Sequence, residues 1–181
     1  MKRRLLLLTA ALLAGCASTP IKPSGLPALR LAPAALGDAR WALNQRLSVW
    51  RLDSPDAAPQ RVDLQLQLDA SGLLVAGFAF SQRVLLMQWD GKDLNVQRHA
   101  MLPAEVDTDR MLRDLCLTYW PVEAVRAALP EGWAWVATAD GQALQQAGEA
   151  RLVVRRPAAN IVEIVNMAEG YRLLIESQPL S

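Results

Sequence analysis

Few side chains in this 181-residue chain can do bond chemistry. His99 is the only histidine, and Cys16 and Cys116 are the only cysteines. A Cys116–His99 pair would be the arrangement of a thiol hydrolase, with the imidazole activating the sulfur. The surroundings of Cys116 argue for another role: it lies in LCLTYW, an apolar helical pattern where cysteine serves as a small core residue. One histidine cannot build a His-rich metal site, and no group of Cys, His, Asp or Glu has ligand spacing. Asp107 and Asp109 are paired acids at the start of a helical pattern, where carboxylates cap the helix and compensate its dipole. No nucleophile elbow, phosphate-binding loop or dinucleotide fingerprint occurs. The expectation is a protein that is not an enzyme and needs no cofactor.

Cys16 has a different context. It follows Lys2, Arg3 and Arg4, an apolar stretch from Leu5 to Leu13, and then Ala14 and Gly15. Three cations, a short apolar run and small residues form a secretory signal, too short to span a hydrocarbon core of about 30 Å. Leu13-Ala14-Gly15-Cys16 matches the bacterial lipobox in every position. That resemblance implies a diacylglycerol on the Cys16 sulfur, cleavage before Cys16 and acylation of the new amino group. Ala17, rather than aspartate, resembles outer-membrane sorting. The expected address is the outer membrane, facing the periplasm, with the membrane held through the N-terminal acyl chains.

Cleavage removes three cations and leaves 16 basic against 18 acidic side chains, about −2 overall. A near-neutral chain without clustered Lys or Arg is not built for nucleic acid. With Cys16 acylated, Cys116 is the only remaining thiol, so no internal disulfide can form. The expected organisation is a signal peptide over residues 1–15, a lipidated N-terminus and Pro-rich tether over 16–38, and one domain over 39–181. Pro20, Pro23, Pro27 and Pro33 support the tether, because proline at this density prevents regular helix or central strand.

Within the domain the hydrophobic period identifies the elements. In WALNQRLSV, Trp41, Leu43, Leu47 and Val49 share one side; in RVDLQLQLD, Val62, Leu64, Leu66 and Leu68 alternate with Asp63, Gln65, Gln67 and Asp69. A period of two predicts strands with one buried and one wet face. LLVAGFAF reads as a more uniformly apolar strand, and RVLLMQWDGKDLNVQ as strand, Asp-Gly turn and strand. From Asp107 the period becomes helical through Met111, Leu112, Leu115 and Tyr119; Pro121 then opens a second helix bearing Val122, Val125, Ala128 and Leu129. Strand patterns return at WAWVATA, ARLVVRR, NIVEIVN and YRLLIES. The predicted class is α+β: a curved, unclosed antiparallel sheet with a helical pair on its concave face. The six tryptophans and an apolar half of the composition fit either a filled core or an apolar cavity.

The stretch LRDLCLTYWPVEAVRAALPEGW, with the WDG turn and the terminal IVEIVNMAEGYRLLIES, resembles a family of bacterial lipoproteins often encoded with aryl polyene pathways. The layout is similar, at greater distance, to the lipoprotein-localisation proteins LolA and LolB. The second resemblance implies a half-barrel with an apolar cavity that accepts acyl chains, here a lipid or polyene, and a soluble LolA-like carrier as partner. The expected cavity wall is Leu64, Leu66, Leu68, Leu86, Trp89, Leu115, Tyr119, Val125 and Leu173. It also implies a membrane-inserting residue in a loop between early strands, for which Phe78 and Phe80 in AGFAFSQ are the candidates. As a two-residue-spaced pair they equally suit the core face of a strand. The function expected is binding of an acyl or polyene lipid and its delivery to the outer membrane; the alternative is a lipoprotein that docks a membrane assembly without a ligand.

Overall fold

The structure, a computed structural model, describes residues 25–103 and 106–180. The signal peptide, Cys16 and the first part of the tether lie outside the described residues.

Five strands come first: β1 (Trp41–Arg51), β2 (Gln60–Asp69), β3 (Gly72–Ala79), β4 (Gln82–Trp89) and β5 (Leu94–Arg98). Helices α1 (Thr108–Tyr119) and α2 (Val122–Ala128) follow, then β6 (Trp133–Ala137), β7 (Gly141–Gln146), β8 (Glu149–Ala158), β9 (Ile161–Asn166) and β10 (Tyr171–Pro179). The ten strands form one antiparallel sheet in the order β5-β4-β3-β2-β1-β10-β9-β8-β7-β6. Each strand pairs with its chain neighbour, and β1 closes onto β10. β5 and β6 remain as free edges, so the barrel is unclosed, and the helices come from the connection between those two edges. The predicted class is the observed one.

Alternation carries the inner face. Leu64, Leu66 and Leu68 stand opposite Gly77, Val75 and Leu73 and are buried with them. Their polar alternates Gln65 and Gln67 are exposed. The strand β7 has no counterpart among the predicted elements: GQALQQ offers only Leu144 to the interior cluster, Ala143 is buried on the other face, and glutamines conceal the period.

Helix α1 starts where the acids predicted. The Asp107 carboxylate accepts from the backbone N–H groups of Asp109 and Arg110. The helix is not simply amphipathic, however. Every residue from Leu112 to Thr118 is buried, so α1 is surrounded on all sides. One wall around it is the sheet; another is the chain segment before β1.

That segment corrects the tether boundary. Leu26, Leu29, Leu31 and Leu36 belong to the same buried core as the sheet and α1. The prolines prevent strand pairing as expected, but the leucines between them dock the chain. The folded unit therefore includes residues 26–38, here called the strap, which ends in a 3-10 turn at Pro33–Leu36.

Candidate functional site

The site is the concave interior and its two ends. Of the nine residues expected to line it, Leu64, Leu66, Leu68, Trp89, Leu115, Val125 and Leu173 are in one buried apolar cluster, and Tyr119 packs against it. Leu86 does not belong there. It pairs with Ala76, one step out of phase with Val75–Met87, so it faces the opposite side of the sheet. The uniformly apolar run VLLMQW contains no polar alternate to mark that phase.

The interior is occupied by the chain itself: Leu112 and Leu117 of α1 and Leu29 of the strap are almost completely buried. Two clefts, of about 390 and 420 Å³, open at the surface. The first lies among the turns holding Asp69, Ser71, Asp90 and Asp93. The second runs past Gln45, Phe78, Asn160 and Ser177. Both have rims rich in polar groups.

Phe78 and Phe80 occupy different parts of the β3–β4 hairpin. Phe78 is in β3, partly buried beside the second cleft. Phe80 is 89% exposed, in the two-residue loop between the paired Ala79 and Gln82. Phe80 and Ser81 have φ of 49° and 62°, the left-handed conformation that such a short hairpin loop demands. A large aromatic side chain is thus held out from the tip of the hairpin.

Cys116 and His99 occupy different environments. Cys116 is fully buried in α1 and meets the backbone of Leu31; burial pushes its thiol up to about 12. His99 is exposed in the turn after β5, where its Nδ1 accepts from the Met101 N–H. Among the described residues no group of three or more His, Cys, Asp or Glu could hold a metal ion.

A buried polar cluster was not legible in the sequence. Arg113 is 2% exposed and donates through Nη1 and Nη2 to both oxygens of Glu169, at 2.7 and 3.0 Å. The same guanidinium donates to Asp114 Oδ1 through Nε and Nη2, and to Tyr171 Oη. Tyr171 Oη in turn donates to Asp114 Oδ2. Asn166, wholly buried, donates to Glu169 and accepts from its backbone N–H. Burial raises the Asp114 carboxyl above the ordinary range, although Arg113 opposes that shift. Burial also opposes the Arg113 charge, but Asp114 and Glu169 raise it further still. The adjacent charges of LRDL within an apolar helix were the available signal.

Residues 42–179 match a family described as "Protein of unknown function (DUF3261)". The chain belongs to this family. No curated protein sequence matches this DUF3261 chain. Among solved structures it is similar to a LolA superfamily protein from Nitrosomonas europaea, at 11% identity and a TM-score of 0.42, over 83% of this chain and 94% of that one.

Proposed function

We propose that this DUF3261 protein is a non-enzymatic lipoprotein, anchored to the periplasmic face of the outer membrane through Cys16, whose half-barrel accepts an acyl or polyene chain and helps deliver it to that membrane. A soluble LolA-like carrier is the donor in this scheme. The observation that carries it is the continuous carbon surface inside an unclosed sheet, covered by a helix and a strap that are not strands of that sheet. A chain entering there replaces contacts of α1 with contacts of its own, at about 0.8 kcal/mol per buried methylene. No bond is made or broken, so direction follows from relative affinities of donor, protein and membrane.

Phe80 supplies the membrane contact. An aromatic side chain that enters the lipid interface gains roughly 2 kcal/mol over one left in water. The test has two arms. Protein purified from membranes is extracted and its lipids identified by mass spectrometry, with exchange of a fluorescent fatty acid as a second readout. Bound or exchangeable lipid is expected, and its absence in both measurements overturns the reading. In the second arm Phe80→Gly lowers binding to phospholipid vesicles about 30-fold while leaving stability intact, since glycine suits the positive φ. Unchanged vesicle binding removes the insertion role.

The packed interior favours a second reading, a docking lipoprotein whose core never opens and whose exposed Phe80 meets a protein partner. Failure of lipid exchange together with loss of complex formation in Phe80→Gly would select it.

A further inference from the structure

The strap is held by groups suited to a different guest. It contributes Leu26, Leu29, Leu31 and Leu36 to the core but is no strand of the sheet. Two of its consecutive carbonyls are instead taken by buried indoles. Trp89 Nε1, at the end of β4, donates to Leu31 O at 2.8 Å, and Trp120 Nε1, at the end of α1, donates to Ala32 O at 2.9 Å. The two rings are 4% and 5% exposed. They belong to elements that stand on either side of the strap, so the groove is built by sheet and helix, not by the strap. Its ion pair from Arg30 to Asp109 is about half exposed at both ends and holds little.

We propose that the strap groove is the binding site for an ester- or amide-linked acyl chain, and that residues 26–36 are its resident, displaceable occupant. This deepens the lipid reading above and rests on it. An indole N–H is a donor without acceptor capacity. When the strap leaves, two buried donors lose their partners, and a plain hydrocarbon cannot restore them. A carbonyl next to a long apolar chain can do so, while its methylenes replace the leucines. The groove therefore selects acyl esters or amides over alkanes, and the strap keeps the carbon surface dry until such a ligand arrives.

The experiment uses the purified full chain, a pyrene-labelled diacyl phospholipid and a pyrenyl alkane of matching length. Amide exchange over residues 26–36 is followed by mass spectrometry. Saturation with the ester probe speeds strap exchange at least tenfold, and the alkane binds at least tenfold more weakly. Arg30→Glu, which sets two acids against each other at the rim, tightens ester binding about threefold; Leu29→Ala tightens it further. Should Leu29→Ala fail to fold, Arg30→Glu answers the same question. Binding confined to the loosened variants also supports a strap that occludes. Ester binding with unchanged strap exchange overturns the displaceable strap and leaves the lipid reading standing. Equal binding of the alkane overturns the carbonyl requirement. No binding of either probe to wild type or variants overturns both proposals together.

Discussion

At neutral pH the Cys116 thiol stays protonated, because α1 and the strap exclude water from it. Its raised pKa has a consequence for stability. The folded state keeps the thiol proton up to about 12, whereas an unfolded cysteine releases it near 8.5. The folded state therefore binds more protons across that window, and stability falls as pH rises through it. Between pH 8 and pH 10 this thiol alone accounts for a loss of about 2 kcal/mol. Urea unfolding at the two pH values measures it: Cys116→Ala loses less stability over the interval than wild type. Equal losses would mean that water reaches the sulfur. The residue shows what the sequence could and could not convey. Its apolar helical surroundings identified a core cysteine, but nothing in LCLTYW announced the Leu31 backbone lying against it, because that contact spans 85 residues of chain. The same holds for Trp89 and Trp120, whose indoles reach into a segment that its prolines had marked as tether.

The strand with strict alternation, β2, was legible because one face is wet and the other dry. β7 was not, since its glutamines hide the period and its pairing depends on a backbone contact rather than a side-chain pattern. Gly141 opens β7 opposite Arg155, and a Cβ there would lie 2.0 Å from the Val154 carbonyl oxygen. Only glycine lets β7 approach β8 this closely. Gly141→Ala must push the two strands apart at the start of their ladder. The expected cost is about 1–3 kcal/mol, as for other overpacked sites, read as a lowered midpoint in thermal unfolding. A neutral substitution would show that the β7–β8 ladder tolerates the shift. The opposite failure of pattern occurs in β4, where apolar side chains on both faces let Leu86 be assigned to the cavity wall although it faces the other side. Helix α1 combines both problems: it has no wet face, so a search for amphipathic spacing finds its existence but not its buried surroundings.

Across the whole molecule, α1 is a rod fastened into an open sheet at separate points. Arg113 ties it to Glu169 and Tyr171 at the β9–β10 end. Arg156 of β8 donates to the Thr118 carbonyl near its C-terminus, and Gln45 of β1 donates to Tyr119 Oη at 2.7 Å. These are directional polar contacts set in a carbon interior, so each holds only while the helix is seated, and water cannot replace it there. If the helix is a lid, it leaves as a unit while the sheet persists, and two substitutions separate that opening from global unfolding. Glu169→Gln weakens a contact broken in both events, because the Glu169 side chain, 3% exposed, loses its charge opposite Arg113. A loss of about 2–3 kcal/mol follows for a hydrogen bond to a charged group. Amides of α1 and of the central strands β1 and β10 then exchange on the order of 30-fold faster. Gly141→Ala weakens a contact broken only when the sheet itself comes apart. It speeds exchange in β1 and β10 and leaves α1 amides at their wild-type rate. Native-state hydrogen exchange of both variants is the measurement. If Gly141→Ala accelerates α1 as much as the strands, the helix opens only by unfolding the molecule, the interior is a permanent core, and the docking reading replaces the lipid one.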